Sequence, residues 1–380
     1  MISLFNQTIS PGATIGIIGG GQLGRYMAIA ARHLGYKVAV LDPTPDSPCA
    51  QVSDYEIIAP FDDQEAIERL ASMSDVITYE FENIDAKRLN WLEENVYLPQ
   101  GSDLLTKTQD RELEKKAIQE AGVSVAPYEI VKKPEDIEDI LEKLEFPAVI
   151  KTCLGGYDGK GQIVIRSTED VPHAKKLSSD TRCVVEKWIP FEKEISVIVT
   201  RSTTGEVTTF PIAENIHQEN ILHQSIVPAR IAKDIKEKAK AMALKLADHF
   251  QLVGTLAVEM FVTKEGDVFV NELAPRPHNS GHYTLDLCKV SQFEQHIRSI
   301  CGLPLGQTDL LSEGVMVNLI GDQIHLIEKD RGLLVDGKLY DYGKKEVKPK
   351  RKMGHVTFYS REHMEKIEKH PIWKKDEALI

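Results

Sequence analysis

Two lysines flank a glycine-rich stretch that has the composition of a polyphosphate-binding loop. Lys151 ends a short apolar run, and Lys160 lies within the stretch Leu154-Gly-Gly-Tyr-Asp-Gly-Lys-Gly-Gln162 that follows. Glycine lets backbone N–H groups approach a ligand closely, because it tolerates positive φ and has no Cβ, and the two ammonium groups add positive charge. The spacing differs from that of the P-loop motif. The alternative is an ordinary hairpin turn with solvated lysines.

Two carboxylates are predicted to face each other across a hairpin. Residues 254–262 and 267–273 form β-rich runs joined by a turn centred on Glu265-Gly266. A two-residue loop would place Glu259 directly opposite Glu272, with Cβ atoms about 4.5–5.5 Å apart. Carboxylates this close repel unless a proton or a cation lies between them. Mg²⁺, held also by substrate phosphates, fits such a pair, with Asn271 as a third oxygen ligand. A one-residue bulge would change the register, and an exposed carboxylate pair is the alternative.

Two further segments carry groups suited to binding anions. Glu272 leads into a polar, proline-rich loop that is predicted to present Arg276, His278 and Asn279 to an anion beside the metal. The basic run 344–352 stands out in an acidic protein. As a site it would bind a phosphate monoester or stabilise a transferring phosphoryl group, and a solvated hairpin or tail is the alternative.

The elements that must position these groups begin with a βαβ pattern. Residues 13–19 and 37–41 are predicted strands, and a helix over 25–34 follows the turn Gly19-Gly-Gly-Gln-Leu-Gly24. This G-x-G-x-x-G turn, with Asp42 after the second strand, indicates a dinucleotide-dependent oxidoreductase when taken alone. The signal is weak, because the same turn binds any phosphate or anion at a helix N-terminus.

Polar groups also lie where two later strands end. Glu80, Glu82 and Asn83 follow the predicted strand 75–79, at the edge where ligands bind in open parallel sheets; a solvated loop is the alternative. The predicted strand 182–190 ends beside the glycine-rich stretch, so its free backbone groups would read an adenine edge and Glu194 would accept hydrogen bonds from ribose hydroxyls. An exposed strand face is the alternative for Glu186 and Glu194.

The remaining pattern predicts supporting elements. A single charged helix is predicted over 104–121, with Gly122 ending it and a domain boundary near Val123. Apolar residues at helical spacing over 231–250 predict a core helix without chemistry. From residue 312 onward short strands and glycine turns predominate.

The composition limits the classes of function. A chain of 380 residues exceeds one ordinary core, so two or three domains are expected. The net charge of −12 argues against bulk nucleic-acid binding. No apolar run approaches the length of about 18 residues that a membrane helix needs, and no secretory leader is recognised. The five cysteines are scattered without a C-x-x-C pair, which predicts neither disulfides nor a zinc site and favours a cytoplasmic location.

Several of these segments together resemble the ATP-grasp superfamily, and more narrowly the 5-(carboxyamino)imidazole ribonucleotide synthase family. They run in order nearly from end to end of the chain, and the third and fifth contain motifs specific to the narrower family. The segments are Gly19-Gly-Gly-Gln-Leu-Gly-Arg25, Tyr79-Glu-Phe-Glu-Asn83, Gly156-Tyr-Asp-Gly-Lys-Gly-Gln162, Glu186-Lys-Trp-Ile-Pro-Phe191, Asn271-Glu-Leu-Ala-Pro-Arg-Pro-His-Asn-Ser-Gly-His282 and Arg351-Lys-Met-Gly-His355. Two small departures, the position of Met27 after Arg25 and the lysines Lys348 and Lys350, leave the resemblance unchanged.

The resemblance implies a fold and a domain organisation. The fold is α/β (α+β), of the ATP-grasp type, with an N-terminal Rossmann-like parallel-sheet domain and a small C-terminal β-rich domain. The implied domains are 1–122 (Rossmann-like), 123–192 (small ATP-grasp subdomain), 193–311 (large ATP-grasp subdomain) and 312–380 (β-rich cap). A homodimer is expected, without nucleic-acid or membrane partners.

The resemblance also implies the reaction and the ATP site. Bicarbonate would be joined to the exocyclic amine of 5-aminoimidazole ribonucleotide in purine biosynthesis, with ATP converted to ADP and phosphate through carboxyphosphate. Glu194 would hold the ribose, with His217 nearby, and Glu259, Glu272 and Asn271 would bind Mg²⁺ or Mn²⁺. The implied ATP-binding residues are Arg111, Lys151, Gly156, Tyr157, Asp158, Gly159, Lys160, Gly161, Gln162, Glu186, Lys187, Trp188, Ile189, Glu194, His217, Asn271 and Glu272.

The acceptor nucleotide would lie against the glycine turn 19–24, which then has no role in binding NAD. Its implied contacts are Gln22, Leu23, Glu80, Asn83, Tyr157, Asp158, His278, Asn279, Lys345 and Arg351, the last two near its phosphate. The implied catalytic groups are Asp158, which would accept the amine proton, and the cations Lys160, Arg276, Arg351 and Lys352. The alternatives are an ATP-grasp ligase acting on another amine, and a dinucleotide-dependent oxidoreductase. The second would leave the facing Glu259 and Glu272 unexplained.

Overall fold

The computed structural model describes residues 7–156, 160–329, 331–360, 362–363, 367 and 370–373. In these parts of the chain the strands form three β-sheets, one parallel and two antiparallel. None of the described helices is both long and apolar enough to cross a membrane.

The N-terminal sheet is parallel, with its four strands in the order β3-β2-β1-β4. Its strands are β1 (Thr14–Ile18), β2 (Lys37–Asp42), β3 (Tyr55–Ile58) and β4 (Val76–Tyr79), and helices α1 (Gln22–His33), α2 (Gln64–Met73) and α3 (Ala86–Asn95) follow β1, β3 and β4. β1 and β4 are almost wholly buried, as expected for strands covered by helices on both faces. The predicted βαβ unit is confirmed.

The helix predicted over 104–121 is two helices, and this corrects the sequence prediction. They are α4 (Asp103–Thr108) and α5 (Arg111–Glu120). Asp110 between them has extended backbone angles, and its side chain accepts a hydrogen bond from the Glu112 N–H. An aspartate that caps a new helix in this way competes with continuation of the previous one. The break places Arg111 in the first turn of α5. Gly122 (φ 66°) follows the end of α5, as predicted.

The second sheet is antiparallel, in the order β5-β8-β6-β7. Its strands are β5 (Tyr128–Val131), β6 (Ala148–Thr152), β7 (Gln162–Ile165) and β8 (Cys183–Lys187), with helices α6 (Asp136–Leu144) and α7 (Val171–Asp180) packed against it. β6 pairs with β7 up to Lys151 and Gln162. The glycine-rich stretch therefore connects two paired strands at the edge of this sheet.

The third sheet is antiparallel and has nine strands, with β10 paired to β9 at its side and the others in the order β14-β13-β9-β11-β12-β15-β17-β16. The strands are β9 (Phe191–Arg201), β10 (Val207–Thr209), β11 (Ala213–Gln218), β12 (Ile221–Val227), β13 (Gly254–Thr263), β14 (Val268–Ala274), β15 (Gly314–Ile320), β16 (Gly337–Asp341) and β17 (Lys352–Phe358). The accompanying helices are α8 (Lys233–His249), α9 (Thr284–Leu287), α10 (Gln292–Ile300) and α11 (Gln323–Lys329).

The C-terminal strands continue the large sheet, because β15 pairs with β12 and β17 pairs with β15. The β-rich segment from residue 312 is thus joined to strand β12 of the preceding segment by backbone hydrogen bonds. The boundaries of the four implied domains remain a prediction.

The hairpin β13–β14 pairs Glu259 with Glu272, as predicted, although its turn differs from the prediction. The loop has three residues, 264–266, closed by the Thr263 N–H bond to Asp267 O, with Gly266 at φ 87°. This is the usual geometry of a three-residue hairpin loop. It shifts the register by one residue, and a bulge at Asn271 restores it before Glu272.

Candidate functional site

A cleft of about 530 Å³ is lined by residues of both antiparallel sheets, of helix α1 and of the loop after β4. Most of the predicted site residues meet there. They are Gln22, Leu23, Asn83, Arg111, Lys151, Gly156, Lys160, Gln162, Glu186, Lys187, Trp188, Ile189, Glu194, His217, Glu259, Asn271, Glu272, Arg276, His278, Asn279 and Lys352. Four others, Glu80, Gly161, Lys345 and Arg351, do not line it. The predicted residues Tyr157, Asp158 and Gly159 lie outside the described residues.

Buried opposite charges form one wall of the cleft. Glu186 on β8 lies 3.1 Å from the ammonium of Lys151 on β6 and 3.1 Å from that of Lys115 on α5. Burial raises the pKa of the Glu186 carboxyl, but Lys115 and Lys151 outweigh it and lower the pKa to about 2. Burial lowers the pKa of the Lys151 ammonium, which Glu186 opposes. Lys151 is therefore a partly desolvated cation that faces the cleft, as a phosphate-binding lysine requires.

The first turn of α5 brings a second cation to the same wall. Arg111 lies 3.7 Å from Glu272, and its N–H donates to the carbonyl oxygen of Cys153 in the glycine-rich connection. One turn further on, Glu114 accepts a hydrogen bond from the Leu273 N–H at 2.7 Å. Burial raises the pKa of Glu114 to about 8. Helix α5 is thus attached both to the glycine-rich connection and to the strand that carries Glu272.

The facing carboxylates at β13 and β14 have the chemistry of a hard-cation site. Burial, and then the Glu272 carboxylate opposite, raise the pKa of Glu259 to about 8. The side-chain oxygen of Asn271, at the bulge between the two positions, is buried without a hydrogen-bond partner among the described residues. Two carboxylates and a free amide oxygen fit Mg²⁺, which usually takes its other ligands from water and phosphates. This site has two carboxylates and an amide. No cluster of three His, Cys, Asp or Glu side chains suited to a metal occurs in the described parts of the chain.

The end of β8 leaves one backbone donor facing the cleft. The N–H groups of Lys187 and Trp188 donate to Pro127 O and Pro147 O, at 2.8 and 3.1 Å. The Ile189 N–H has no such bond within the described part of the chain. A planar base could accept from this donor, as the sequence predicts for an adenine edge.

Glu194 and His217 lie together further along the cleft, with 2.9 Å between Oε2 and Nδ1. Burial lowers the pKa of His217, but Glu194 raises it above its usual value. Beside them, Phe191 stacks on Phe261 with 4.5 Å between ring centroids. The Glu194 carboxylate therefore lies against an imidazole whose charged form it favours, and both groups line the cleft.

The loop after β14 is held rigidly by buried amides. Gln292 accepts from the His278 N–H at 2.9 Å and donates to the His278 carbonyl oxygen at 2.6 Å. Asn279 exchanges two hydrogen bonds with Asn318 of β15. Burial lowers the pKa of His278 well below its usual value. His278 is thus a neutral side chain in the cleft, whereas the Asn279 amide is largely occupied by its protein partner.

Arg276 in the same loop pairs with Glu82 at 3.0 Å, and both line the cleft. Glu82 follows β4 in the N-terminal domain, so this ion pair joins that domain to the large sheet.

The glycine turn after β1 is already occupied by the protein's own carboxylates. The N–H of Gly20 donates to Asp42 at 2.7 Å, and those of Gly21 and Gly24 donate to Glu80 at 2.5 and 3.2 Å. Burial raises the pKa of Glu80. The donors that a dinucleotide pyrophosphate would need at this helix N-terminus are therefore taken, which argues against the oxidoreductase alternative.

The basic hairpin turns Lys344 inward and Lys345 outward. The Lys344 ammonium donates to Lys352 O at 2.7 Å, and burial lowers its pKa to about 8. Lys345 is exposed and pairs with Asp46 at 3.0 Å. The Arg351 guanidinium donates to Glu346 O at 2.9 Å. Lys344 belongs to the predicted basic run but was not among the residues named for the phosphate, and it is better placed than Lys345 to meet an anion beside Lys352.

Glu114 lines the cleft and was not predicted as a site residue, and neither was the nearby Lys115. Lys115 lies one helical turn after Arg111, on the same face of α5. That spacing is visible in the sequence, but it becomes informative only when the helix is known to begin at Arg111.

Three family models match successive parts of the chain. Residues 12–109 match the ribonucleotide synthetase preATP-grasp domain, 116–293 the ATP-grasp domain, and 314–369 the phosphoribosylaminoimidazole carboxylase C-terminal domain. The parallel sheet lies within the first match, and β15 to β17 lie within the third.

Curated and solved relatives match over nearly the whole length. The N5-carboxyaminoimidazole ribonucleotide synthase of Bacillus subtilis is 62% identical over 352 residues, which is 93% of each chain. The crystal structure of an N5-carboxyaminoimidazole ribonucleotide synthetase in complex with ADP has a TM-score of 0.95 at 57% identity and covers 97% of this chain and 98% of its own. That of the Aspergillus clavatus synthase in complex with ADP and 5-aminoimidazole ribonucleotide has a TM-score of 0.86 at 30% identity, covering 92% and 94%.

Proposed function

Because the chain belongs to the N5-carboxyaminoimidazole ribonucleotide synthase family, we propose that its cleft joins bicarbonate to the amine of 5-aminoimidazole ribonucleotide at the expense of ATP. The protein is an ATP-grasp ligase of purine biosynthesis that releases ADP and phosphate. The observation that carries this proposal is the meeting, in one cleft, of the cations Lys151 and Arg111 with the facing carboxylates Glu259 and Glu272.

In this proposal ATP lies along the four-stranded antiparallel sheet formed by β5 to β8. Its adenine accepts from the Ile189 N–H, its ribose hydroxyls donate to Glu194, and its phosphates meet Lys151 and Arg111. Lys160 of the glycine-rich stretch lines the cleft and adds a further positive charge beside the phosphates. The ADP-bound relatives support a nucleotide in this cleft.

Glu259, Glu272 and Asn271 would hold Mg²⁺ or Mn²⁺ beside the phosphates. A cation bound there neutralises the charge on the phosphates and makes the γ-phosphorus easier to attack. The Arg111 guanidinium, 3.7 Å from Glu272, limits the negative charge that the two carboxylates bring to this corner.

The chemistry consists of two transfers. A bicarbonate oxygen attacks the γ-phosphorus, ADP leaves, and carboxyphosphate forms. The acceptor amine then attacks the carboxyl carbon, phosphate leaves, and the amine gives up a proton. Arg276 and Lys352 line the cleft and stabilise the anionic intermediate. Asp158 as the proton acceptor remains a sequence-based prediction.

The acceptor nucleotide lies between the N-terminal domain and the basic hairpin. Gln22, Leu23 and Asn83 line that side of the cleft. We assign its phosphate to Lys344 with Arg351 and Lys352, in place of the predicted Lys345, since Lys345 is paired with Asp46 on the surface. The Aspergillus clavatus relative binds 5-aminoimidazole ribonucleotide together with ADP.

The test is phosphate release from MgATP and bicarbonate, with and without 5-aminoimidazole ribonucleotide, alongside incorporation of labelled bicarbonate. Strong stimulation by the nucleotide that is lost in Glu272→Gln is expected. Glu265→Gln, which changes an exposed carboxylate at the tip of the same hairpin, is the matched control. Phosphate release without stimulation would contradict the acceptor and favour another amine.

We further propose a homodimer in a reducing, cytoplasmic location. The five cysteines are buried and free, as such a location requires. Light scattering coupled to size-exclusion chromatography tests the dimer, and a mass corresponding to one 42.6 kDa chain would contradict it.

A further inference from the structure

Lys115 is a fully buried cation that does not line the cleft. Its side chain is 0% exposed and its ammonium lies 3.1 Å from Glu186. On the other side of Glu186, the Lys151 ammonium lies at the same distance and does line the cleft. The face of the Tyr128 ring lies 5.8 Å from the Lys115 ammonium. Lys115 is therefore separated from any ligand by Glu186 and Lys151.

Burying this ammonium is costly, and the fold does not require it. Glu186 already has an ion-pair partner in Lys151. A buried ion pair or triad can often be replaced as a whole by apolar side chains without loss of stability, so buried charges are weak evidence of a structural need. Of the nearest residues of α5, Ala117 and Ile118 are buried apolar residues, whereas Glu114 is a buried carboxyl group. A methionine would suit this environment, so the charge itself calls for an explanation.

The charges of Lys115, Glu186 and Lys151 explain why a cation is kept at this position. Lys115, Glu186 and Lys151 together carry one net positive charge. Without Lys115, Glu186 and Lys151 would form a neutral pair, and the attraction of the cleft wall for an anion would weaken, with Arg111 as its remaining cation. In a partly desolvated site such a difference acts strongly over short distances, because the effective dielectric constant is far below that of water.

We propose that Lys115 is a positioning residue for the nucleotide: it neutralises Glu186 and thereby leaves the charge of Lys151 available to the phosphates. This inference rests on the proposed function, because it takes ATP and ADP as the ligands of the cleft. Lys115 itself touches no ligand.

The role predicts an effect that depends on the phosphates and spares the nucleoside. Calorimetric titration of Lys115→Met is expected to show MgADP binding weakened on the order of tenfold, while adenosine binds as it does to the wild type. A side chain that served only the fold would weaken both ligands alike. Lys115→Gln, which keeps a polar side chain without the charge, should behave as Lys115→Met does. Thermal unfolding monitored by circular dichroism establishes that the variants are folded.

Lys116→Met is the matched control. Lys116 is the next residue of α5, with a 68% exposed side chain 3.9 Å from Glu120. Removing its charge should change neither affinity.

The double variant Lys115→Met/Glu186→Gln tests the charge explanation directly. It removes one positive and one negative charge, so positions 115, 151 and 186 together again carry one net positive charge. The affinity for MgADP should therefore return most of the way to that of the wild type. A double variant no better than Lys115→Met would overturn the inference, as would equal losses of MgADP and adenosine. A wild type that binds no MgADP would overturn the proposed function as well, whereas normal binding by both wild type and Lys115→Met would overturn the inference alone.

Discussion

Glu259 and Glu272 lie directly opposite each other on β13 and β14, in a hairpin whose loop is one residue longer than predicted. The bulge at Asn271 compensates for the extra loop residue and keeps the carboxylates paired. The same bulge leaves the Asn271 side-chain oxygen buried without a partner among the described residues. One irregularity therefore produces both the facing pair and a third oxygen for a cation.

The Glu259 carboxyl predicts a pH-dependent stability of the ligand-free protein. Its pKa in the fold, about 8, lies above the value of about 4.3 for an unfolded glutamate. Between these values the folded state binds more protons than the unfolded state, so the free energy of unfolding falls as pH rises from about 5 to about 8. Thermal unfolding at pH 6 and pH 8 should show this decrease, and Glu259→Gln should reduce it. Glu265→Gln is the control, and parallel curves for all three proteins would contradict the assignment.

Lys344→Ala and Lys345→Ala should differ in their effect on the acceptor. Lys344 turns inward beside Lys352, whereas Lys345 is exposed and paired with Asp46. Loss of one charge-assisted contact to phosphate is expected to cost about 1.5–3 kcal/mol, which corresponds to a KM for the acceptor raised on the order of tenfold or more. Lys345→Ala should leave that KM nearly unchanged. Steady-state kinetics at saturating ATP measures the KM for the acceptor in both variants. A larger effect at Lys345 would favour the sequence prediction that Lys345 binds the acceptor phosphate.

Asp110→Ala should couple helix stability to nucleotide affinity. Asp110 caps α5 through the Glu112 N–H and also binds Arg182. Loss of an aspartate cap typically costs about 0.5–2 kcal/mol, and a frayed first turn would displace Arg111 from the cleft. Urea unfolding and MgADP titration should therefore both show weakening.

Asp63→Ala is the comparison variant for this effect, because Asp63 caps α2 through the Ala66 N–H in the N-terminal domain. It should lower stability by a similar amount without changing MgADP affinity. Equal loss of affinity in both variants would indicate a general effect of stability.

Gln292→Met should impair catalysis by releasing His278. The Gln292 amide holds both backbone groups of His278, and the methionine keeps the volume but neither hydrogen bond. Leaving two partly buried backbone groups without partners should lower stability, by about 1–3 kcal/mol for a group that stays out of water, and lower kcat more than it changes the KM for ATP. Gln292→Glu keeps the acceptor for the His278 N–H and should be intermediate. Activity of Gln292→Met equal to that of the wild type would show that the loop needs no such support.

Local patterns in the sequence determined much of the site. The glycine-rich stretch between two strands, the βαβ unit and the facing of Glu259 and Glu272 all depend on residues close together in the chain. Local periodicity and turn chemistry govern such features. The extended motifs also carried the family resemblance over the whole chain. The helix over 104–121 was wrong because the capping role of Asp110 outweighed a continuous helical pattern.

Only the tertiary structure decided which distant groups meet. Glu186 lies between Lys151 and Lys115 because α5 lies beside β8 of the four-stranded antiparallel sheet. Glu80 occupies the glycine turn because β4 lies beside β1. Whether Lys344 or Lys345 turns inward beside Lys352 depends on how the basic hairpin meets Asp46 of the N-terminal domain. These contacts join residues far apart in the chain. The relative placement of packed elements determines them, and neither the spacing of residues nor the charge pattern encodes that placement locally.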